Sequence, residues 1–207
     1  MPKLDKRSDE RLLWSRFLNG DDQVLSLIYL QYSNPLFDYG CRFSKNTDLV
    51  KDCIQEVFCN LLRTRKNLSE TDNVKFYLLK SLKRQILKEI QKSSNKLVSI
   101  NDQEYSFELL LGQNNDDQLN ELNEVKQQAL VEALESLTDR QKEAIYLRFD
   151  RGLEYNEISE ILNLNYQSAR ALIHRAIEKL REVIHIQEQK FTQILFSILM
   201  SRTRPVL

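Results

Sequence analysis

The residues best suited to chemistry are the basic side chains between residues 74 and 92. This stretch holds six Lys or Arg residues against a single acid, Glu89. At about 100° per residue, five of the cations share one broad face of a helix: Lys80, Lys83, Arg84, Lys88 and Lys92. Like charges four residues apart repel, so this row destabilises an isolated helix. A polyanion whose phosphates release counterions on contact is the partner that such a row favours.

Two aromatic residues at the start of the same stretch fit this interpretation. Phe76 and Tyr77 stand where a nucleic-acid base could stack, although aromatics near a helix end often belong to a core. An acidic membrane surface is the competing partner, but interfacial Trp or Phe residues do not flank the row. Nucleic acid is therefore the favoured ligand.

Catalytic chemistry has little support in the sequence. With only His174 and His185, neither a Ser/His/Asp nor a Cys/His arrangement can be assembled. The three cysteines show no CxxC spacing, and Cys53 and Cys59 fall in a helical apolar pattern, where we expect small buried side chains. The four glycines are too scattered for a phosphate-binding loop. We expect no enzyme activity, no metal and no cofactor.

The elements that position these residues are predicted to be helices. Four glycines and three prolines in 207 residues are too few for the turns of a β-sandwich or barrel. Apolar residues recur at helical spacing over 49–62, and a further helix is predicted over 74–92. The fold class expected is all-α.

The charge distribution divides the chain, although its formal net charge is zero. Residues 1–92 carry 17 basic and 12 acidic side chains, whereas residues 93–125 carry one basic and seven acidic ones. The second stretch is also rich in Ser, Asn and Gln, which indicates an acidic flexible linker, with a short helical piece near 107–111. The predicted organisation is a first domain over 1–92, a linker over 93–125, a second domain over 126–184 and a helical tail over 185–207.

The second domain contains a helix-turn-helix pattern. Thr138 and Gln141 have the spacing of a capping box, and a short helix is predicted over 155–162. After the turn at 163–165, a long amphipathic helix is expected over 166–184. Its outer face offers Gln and Arg, which can contact base edges, and Ser, which can reach phosphates. Small Ser159 and Ala169 would let the two helices cross closely.

Several motifs resemble one family, the bacterial sigma-70-type initiation factors, and specifically their compact extracytoplasmic-function group. Asp52-Cys-Ile-Gln-Glu-Val-Phe58 is similar to the D-x-x-Q-E-x-F motif of sigma region 2, and Phe76 to Leu82 is similar to the helix that melts promoters. The stretches 137–141, 155–159 and 174–181 are similar to sigma region 4. Tyr77 stands where the family often has Trp, and Arg84 and Lys88 stand near its usual Asn and Asp.

The resemblance implies partners and roles. Core RNA polymerase would be bound through its β′ clamp helices and its β flap. The residues that would contact the β′ clamp helices are Asp52, Gln55, Glu56 and Phe58. The −10 element of promoter DNA would be held by Phe76, Tyr77, Lys80, Lys83, Arg84 and Lys88. The −35 element would be read by Gln167, Ser168, Arg170, Ala171 and Arg175. An anti-sigma factor is a further partner that the resemblance allows.

Two other functions stay open at this stage. A helix-turn-helix regulator could bind DNA without joining polymerase, but it would have no need for the polar face of the 52–58 helix. A purely protein-binding adaptor would have no need for the basic row. The apolar stretch 194–200 is far short of the ~20 residues that span a bilayer, and the N-terminus lacks a signal-peptide core, so we expect no membrane insertion and a cytoplasmic location.

Overall fold

The computed structural model describes residues 6–94, 105–109 and 131–184. The chain divides into two compact units, Met1–Tyr105 and Ser106–Leu207, which are treated separately below. Within the described ranges every regular element is helical, which confirms the predicted all-α class. None of the described helices has the length and apolar character needed to cross a membrane.

Over its described residues, the first unit contains four α-helices, α1 (Lys6–Leu18), α2 (Asp22–Gly40), α3 (Thr47–Thr64) and α4 (Val74–Ser94), with a 3-10 turn at Arg65–Asn67 after α3. Asp21 caps α2 by accepting a hydrogen bond from the Gln23 amide, and Asn46 caps α3 through the amides of Asp48 and Leu49. These caps satisfy backbone donors that a helix start leaves unpaired. Both α3 and α4 are longer than the predicted ranges, because periodicity marks the apolar stripe and omits the polar ends.

The core of this unit lies where α2, α3 and α4 meet. The side chains that are wholly or almost wholly buried there include Ile28, Leu36, Tyr39, Val50, Leu61, Leu78, Leu82 and Ile86. Gly40, at the end of α2, sits against this core so closely that a Cβ atom would lie 2.5 Å from Val50 Cγ1. The close approach of the three helices therefore depends on a glycine at this position.

Helices α1 and α2 both contact the segment that joins α3 to α4. The indole Nε1 of Trp14 donates a hydrogen bond to the Ser69 carbonyl at 2.9 Å, and its ring packs 5.2 Å from that of Tyr77. Arg65 forms an ion pair with Asp22, the first residue of α2. These contacts fix the position at which α4 begins.

The second unit contains α5 (Asp139–Ile145), α6 (Tyr155–Ile161) and α7 (Tyr166–Ile184), preceded by a helical stretch at 131–135. The predicted capping box is confirmed, with Thr138 and Gln141 bonded reciprocally. A turn of π-helix over Tyr146–Asp150, which periodicity did not predict, follows α5 and ends before Gly152, whose φ is +67°. The predicted limits of the long helix, 166–184, are confirmed.

Two residues of the predicted linker are packed, each within its own unit. Tyr105 lies against Phe43 in the first unit, with ring centroids 5.5 Å apart. Phe107 is wholly buried in the second unit, where its ring packs against Tyr146 and its amide donates to Asp139 Oδ1 at 2.8 Å. Residues 105–109 are not helical, so the short helix predicted near 107–111 is wrong over 107–109. The rest of that prediction, and the helical tail over 185–207, lie outside the described residues.

Candidate functional site

Helix α4 carries an exposed row of cations. Lys80, Arg84, Lys88 and Lys92 are all exposed at four-residue spacing, as the periodicity predicted. Glu89 pairs with Lys92 at 2.8 Å and accepts a hydrogen bond from Gln85 Nε2 at 3.1 Å. Beyond these contacts, the row offers positive charge at the regular spacing that a phosphate backbone can follow.

Lys83 does not belong to this exposed row, which corrects the sequence prediction. Its side chain is 7% exposed, and its Nζ donates a hydrogen bond to the Tyr105 hydroxyl at 3.1 Å. The physical reason is a contact between residues 22 positions apart, which helical periodicity does not predict. Lys83 borders the row, but in this conformation it is covered.

Phe76 and Tyr77 are half-buried at the start of α4. The Asn73 side chain accepts a hydrogen bond from the Phe76 amide at 2.9 Å, which caps the helix. Lys80 Nζ lies 5.4 Å from the centre of the Phe76 ring, and Tyr77 contacts Trp14. Each aromatic ring is thus partly engaged in packing, while part of its surface stays open.

The motif on α3 separates into two faces. Asp52 and Gln55 are exposed, and Glu56 is half-exposed and paired with Arg63 at 3.2 Å. Phe58 is only 6% exposed and packs edge-on against Tyr29, with ring centroids 5.0 Å apart. The prediction that Phe58 docks directly on a partner is therefore corrected. Its position on the apolar stripe of α3 directs it inward, where it holds the helix in place.

A groove of about 590 Å³ brings the α3 motif and the α4 row together. Asp52 and Glu56 line it from α3, and Lys88 and Lys92 line it from α4. Cys53 is also at this groove, but burial, followed by the charges of Glu89 and Asp52, raises its pKa to about 11. The thiol is therefore protonated at neutral pH and poorly suited to bind metal or act as a nucleophile.

Helix α7 presents a polar outer surface at its N-terminal end. Gln167, Arg170, Ala171 and Arg175 are exposed, and Ser168 is half-buried. The Ser168 amide donates a hydrogen bond to the Asn165 side chain at 2.7 Å, so Asn165 caps the helix. Ser159 and Ala169 are buried at the crossing of α6 and α7, as predicted for small residues there.

Contacts outside the predicted site residues hold the turn between α6 and α7. Arg140 on α5 donates to the Leu162 carbonyl at 3.1 Å, and Asn163 adopts a φ of +52°. Tyr166, which the sequence analysis did not single out, is 40% exposed at the first position of α7. It packs edge-on against Tyr155, whose ring lies 4.7 Å from the Arg148 guanidinium. The signal available in the sequence was an aromatic residue at the predicted start of the long helix.

The family is decided by two matches that follow one another along the chain. The family model for sigma-70 region 2 matches residues 28–96, and the model for sigma-70 region 4 matches residues 133–182. Together they cover more than half of the 207 residues. The chain belongs to the sigma-70 family. Region 2 of this sigma-70 family member lies in the first unit, and region 4 lies in the second.

Solved structures share the fold of this sigma-70 family protein. The sigma factor RpoE from Bartonella quintana, solved with the anti-sigma factor NepR, is 19% identical, with a TM-score of 0.55 over 79% of this chain and 98% of that one. CnrH, solved with the cytosolic domain of CnrY, is 14% identical, with a TM-score of 0.55 over 85% of this chain and 97% of that one. Among curated proteins, none matches in sequence.

Proposed function

We propose that this protein is a sigma factor of the extracytoplasmic-function type, which joins core RNA polymerase in the cytoplasm and directs it to promoters. Region 2 would extend over 1–92, an acidic linker over 93–125, region 4 over 126–184 and a helical tail over 185–207. The catalysis of transcription belongs to the polymerase, and the sigma factor supplies recognition. An anti-sigma partner is also proposed, because two proteins of this fold were solved with such partners or with a partner domain.

One observation carries the proposal: the groove that joins the polar face of α3 to the basic row of α4. A DNA-binding regulator needs cations but has no need for Asp52 and Glu56 beside them. A protein-binding adaptor needs a polar face but not cations spaced at four residues. Only a protein that contacts a protein and a nucleic acid at adjoining surfaces uses both.

Helix α4 is proposed to hold one strand of the −10 element. Lys80, Arg84 and Lys88 would contact successive phosphates, and the open faces of Phe76 and Tyr77 would stack with bases. The removal of one cation should reduce the slope of the logarithm of the strand-binding constant against the logarithm of the salt concentration by about 0.7. Phosphate contacts position the strand, so these changes should weaken all sequences to a similar extent.

The exposed part of the α3 motif is proposed to dock on the β′ clamp helices. Asp52 and Gln55 are fully available to a partner, and the Arg63 side chain orients Glu56. Phe58 would act indirectly, since its packing on Tyr29 fixes the rotation of α3.

Helix α7 is proposed to enter the major groove at the −35 element. Gln167 and Arg170 have the bidentate geometry that discriminates adenine and guanine edges, and Arg175 and Ser168 can contact phosphate. The turn fixed by Arg140 and Asn163 sets the angle at which α7 leaves α6. The β flap is the proposed polymerase contact of this unit.

The test of this proposal measures the affinity of the full chain for core polymerase with the double variant Gln55→Ala, Glu56→Ala. We expect at least a tenfold loss, because exposed polar groups at the centre of an interface would be removed. Lys51→Ala is the matched control on the same helix, since Lys51 is exposed and pairs only with nearby Asp48 in the described contacts. Equal affinity of the double variant and wild type would contradict α3 docking, and promoter binding without any core affinity would favour the independent regulator.

A further inference from the structure

Tyr105 covers a lysine of the proposed DNA-binding helix. The Lys83 ammonium donates to the Tyr105 hydroxyl at 3.1 Å and also lies 4.5 Å from the centre of the same ring. Phe43, which follows the end of α2, packs on the Tyr105 ring and forms the other side of the slot. A single side chain from the acidic stretch between regions 2 and 4 thus makes three kinds of contact with region 2.

Lys83, which Tyr105 covers, adjoins the exposed cations of α4. On α4, Lys83 is one residue from Arg84 and three from Lys80, both of which are exposed. At about 100° per residue, Lys83 is therefore at the edge of the basic row. A phosphate that passes between Lys80 and Arg84 would come within reach of the Lys83 ammonium if Tyr105 were displaced.

The sequence around Tyr105 adds an electrostatic consequence. Three carboxylates, Asp102, Glu104 and Glu108, stand within three residues of it in the sequence. These carboxylates give the segment that carries Tyr105 the same sign of charge as DNA. The docked segment and DNA would then compete for the same positive charge on α4.

We propose that Tyr105 is an autoinhibitory latch, which occupies Lys83 in the free protein and must leave its slot for α4 to bind DNA with all of its cations. The identification of DNA as the ligand rests on the proposed function. The covering of Lys83 by Tyr105 rests on the observed slot. A ring contact and a hydrogen bond are each modest, so a ligand that prefers the open form can shift the equilibrium.

The first arm of the test measures the latch without DNA. In the full-length chain, the acetylation rate of each lysine by an amine-reactive ester is followed by mass spectrometry. We expect Lys83 to react at least several-fold more slowly than exposed Lys80 and Lys88, and Tyr105→Ala to abolish that difference. Tyr105→Phe is the control, because it keeps the ring in the slot and should preserve most of the protection. Continued protection of Lys83 in Tyr105→Ala would overturn the latch.

The second arm measures competition with DNA, using a fluorescent single-stranded oligonucleotide. Tyr105→Ala should bind about three- to tenfold more tightly than wild type, with a salt slope steeper by about 0.7, the value for one added phosphate contact. Adding Lys83→Gln to Tyr105→Ala should remove the gain.

The two arms separate failure of the latch from failure of the proposed function. Unchanged or weaker binding by Tyr105→Ala, with measurable binding by wild type, would overturn the latch and leave DNA binding by α4 intact. Absence of oligonucleotide binding in every variant would overturn both the competition and the proposed role of α4.

Discussion

The Glu10 carboxylate on α1 accepts a hydrogen bond from the Val74 amide, the first residue of α4, at 3.0 Å. Glu10 is 8% exposed, so a charged side chain is buried to cap the helix that carries the basic row. The same carboxylate accepts from the Tyr32 hydroxyl, and burial together with this neighbour raises the pKa of Tyr32 far above its ordinary value. Helix α1, outside the matched region 2, therefore fixes the start of α4, the helix proposed to bind DNA.

Replacement of Glu10 should destabilise the first unit. We expect Glu10→Ala to lower the free energy of unfolding by about 2 kcal/mol, because the Val74 amide and the Tyr32 hydroxyl would lose their acceptor. Glu10→Gln keeps one acceptor oxygen and should cost less, about 1 kcal/mol. Urea denaturation followed by Trp14 fluorescence measures this unit, since the sequence has a single tryptophan. A loss in Glu10→Ala no larger than in Glu10→Gln would show that the cap is unimportant.

Gly40 provides a test of packing between α2, α3 and α4. Alanine is a better helix former than glycine, but a Cβ at this position would lie 2.5 Å from Val50 Cγ1 and 3.2 Å from Ile86 Cδ1. We expect Gly40→Ala to destabilise the unit by about 1–3 kcal/mol, as overpacking does. Thermal unfolding should show part of this loss recovered when Val50→Ala is added. Stabilisation by Gly40→Ala alone would contradict the observed close approach.

The recognition surface of α7 predicts a loss of base discrimination. Gln167→Ala and Arg170→Ala should each reduce the preference for a cognate −35 sequence by about 1–3 kcal/mol, because bidentate base contacts would be lost. Competition between cognate and scrambled duplexes in the holoenzyme measures this preference. Asn156→Ala, which removes an exposed amide on α6, is the control and should leave the preference within error. If all three variants behaved alike, α7 would not be the reading helix.

The thiol of Cys53 predicts a distinctive pH dependence. Because its pKa is raised to about 11, the thiolate fraction at pH 8.5 should be about a hundredfold below that of an ordinary thiol. Alkylation of Cys53 in the folded protein should therefore rise about tenfold per pH unit up to pH 11. An ordinary thiol in a peptide, with a lower pKa, should level off earlier. A plateau for Cys53 near pH 9 would show that the thiol is not shielded in this way.

The sequence correctly predicts the structural elements that depend on short-range sequence patterns. Helix α7 has the predicted limits, and the capping box at Thr138 lies where the sequence placed it. Both depend on residues within one or two turns of each other, and such patterns are visible in a single sequence. The exposure of Asp52 and Gln55 on α3 followed from the same periodicity, as did that of Lys80, Arg84, Lys88 and Lys92 on α4.

The errors come from contacts that are distant in sequence. Lys83 is covered by Tyr105, and Phe107 is buried against Tyr146, although both aromatic residues stand in a stretch whose composition indicates a linker. The family motif ends on Phe58 and so predicts a contact with a partner, whereas the place of Phe58 on the apolar stripe of α3 favours the burial that is observed. A sequence motif identifies a set of related residues, but tertiary packing determines which of them are exposed.

We propose above all that this chain gives core polymerase its promoter specificity. The most direct measurement maps transcription start sites on a library of promoter fragments, with core polymerase alone and with the full chain added. We expect new start sites that depend on the chain and are lost with Gln55→Ala, Glu56→Ala. Those sites should also become weaker with Arg170→Ala. Finding the same start sites with core alone and with the chain added would contradict the proposed function.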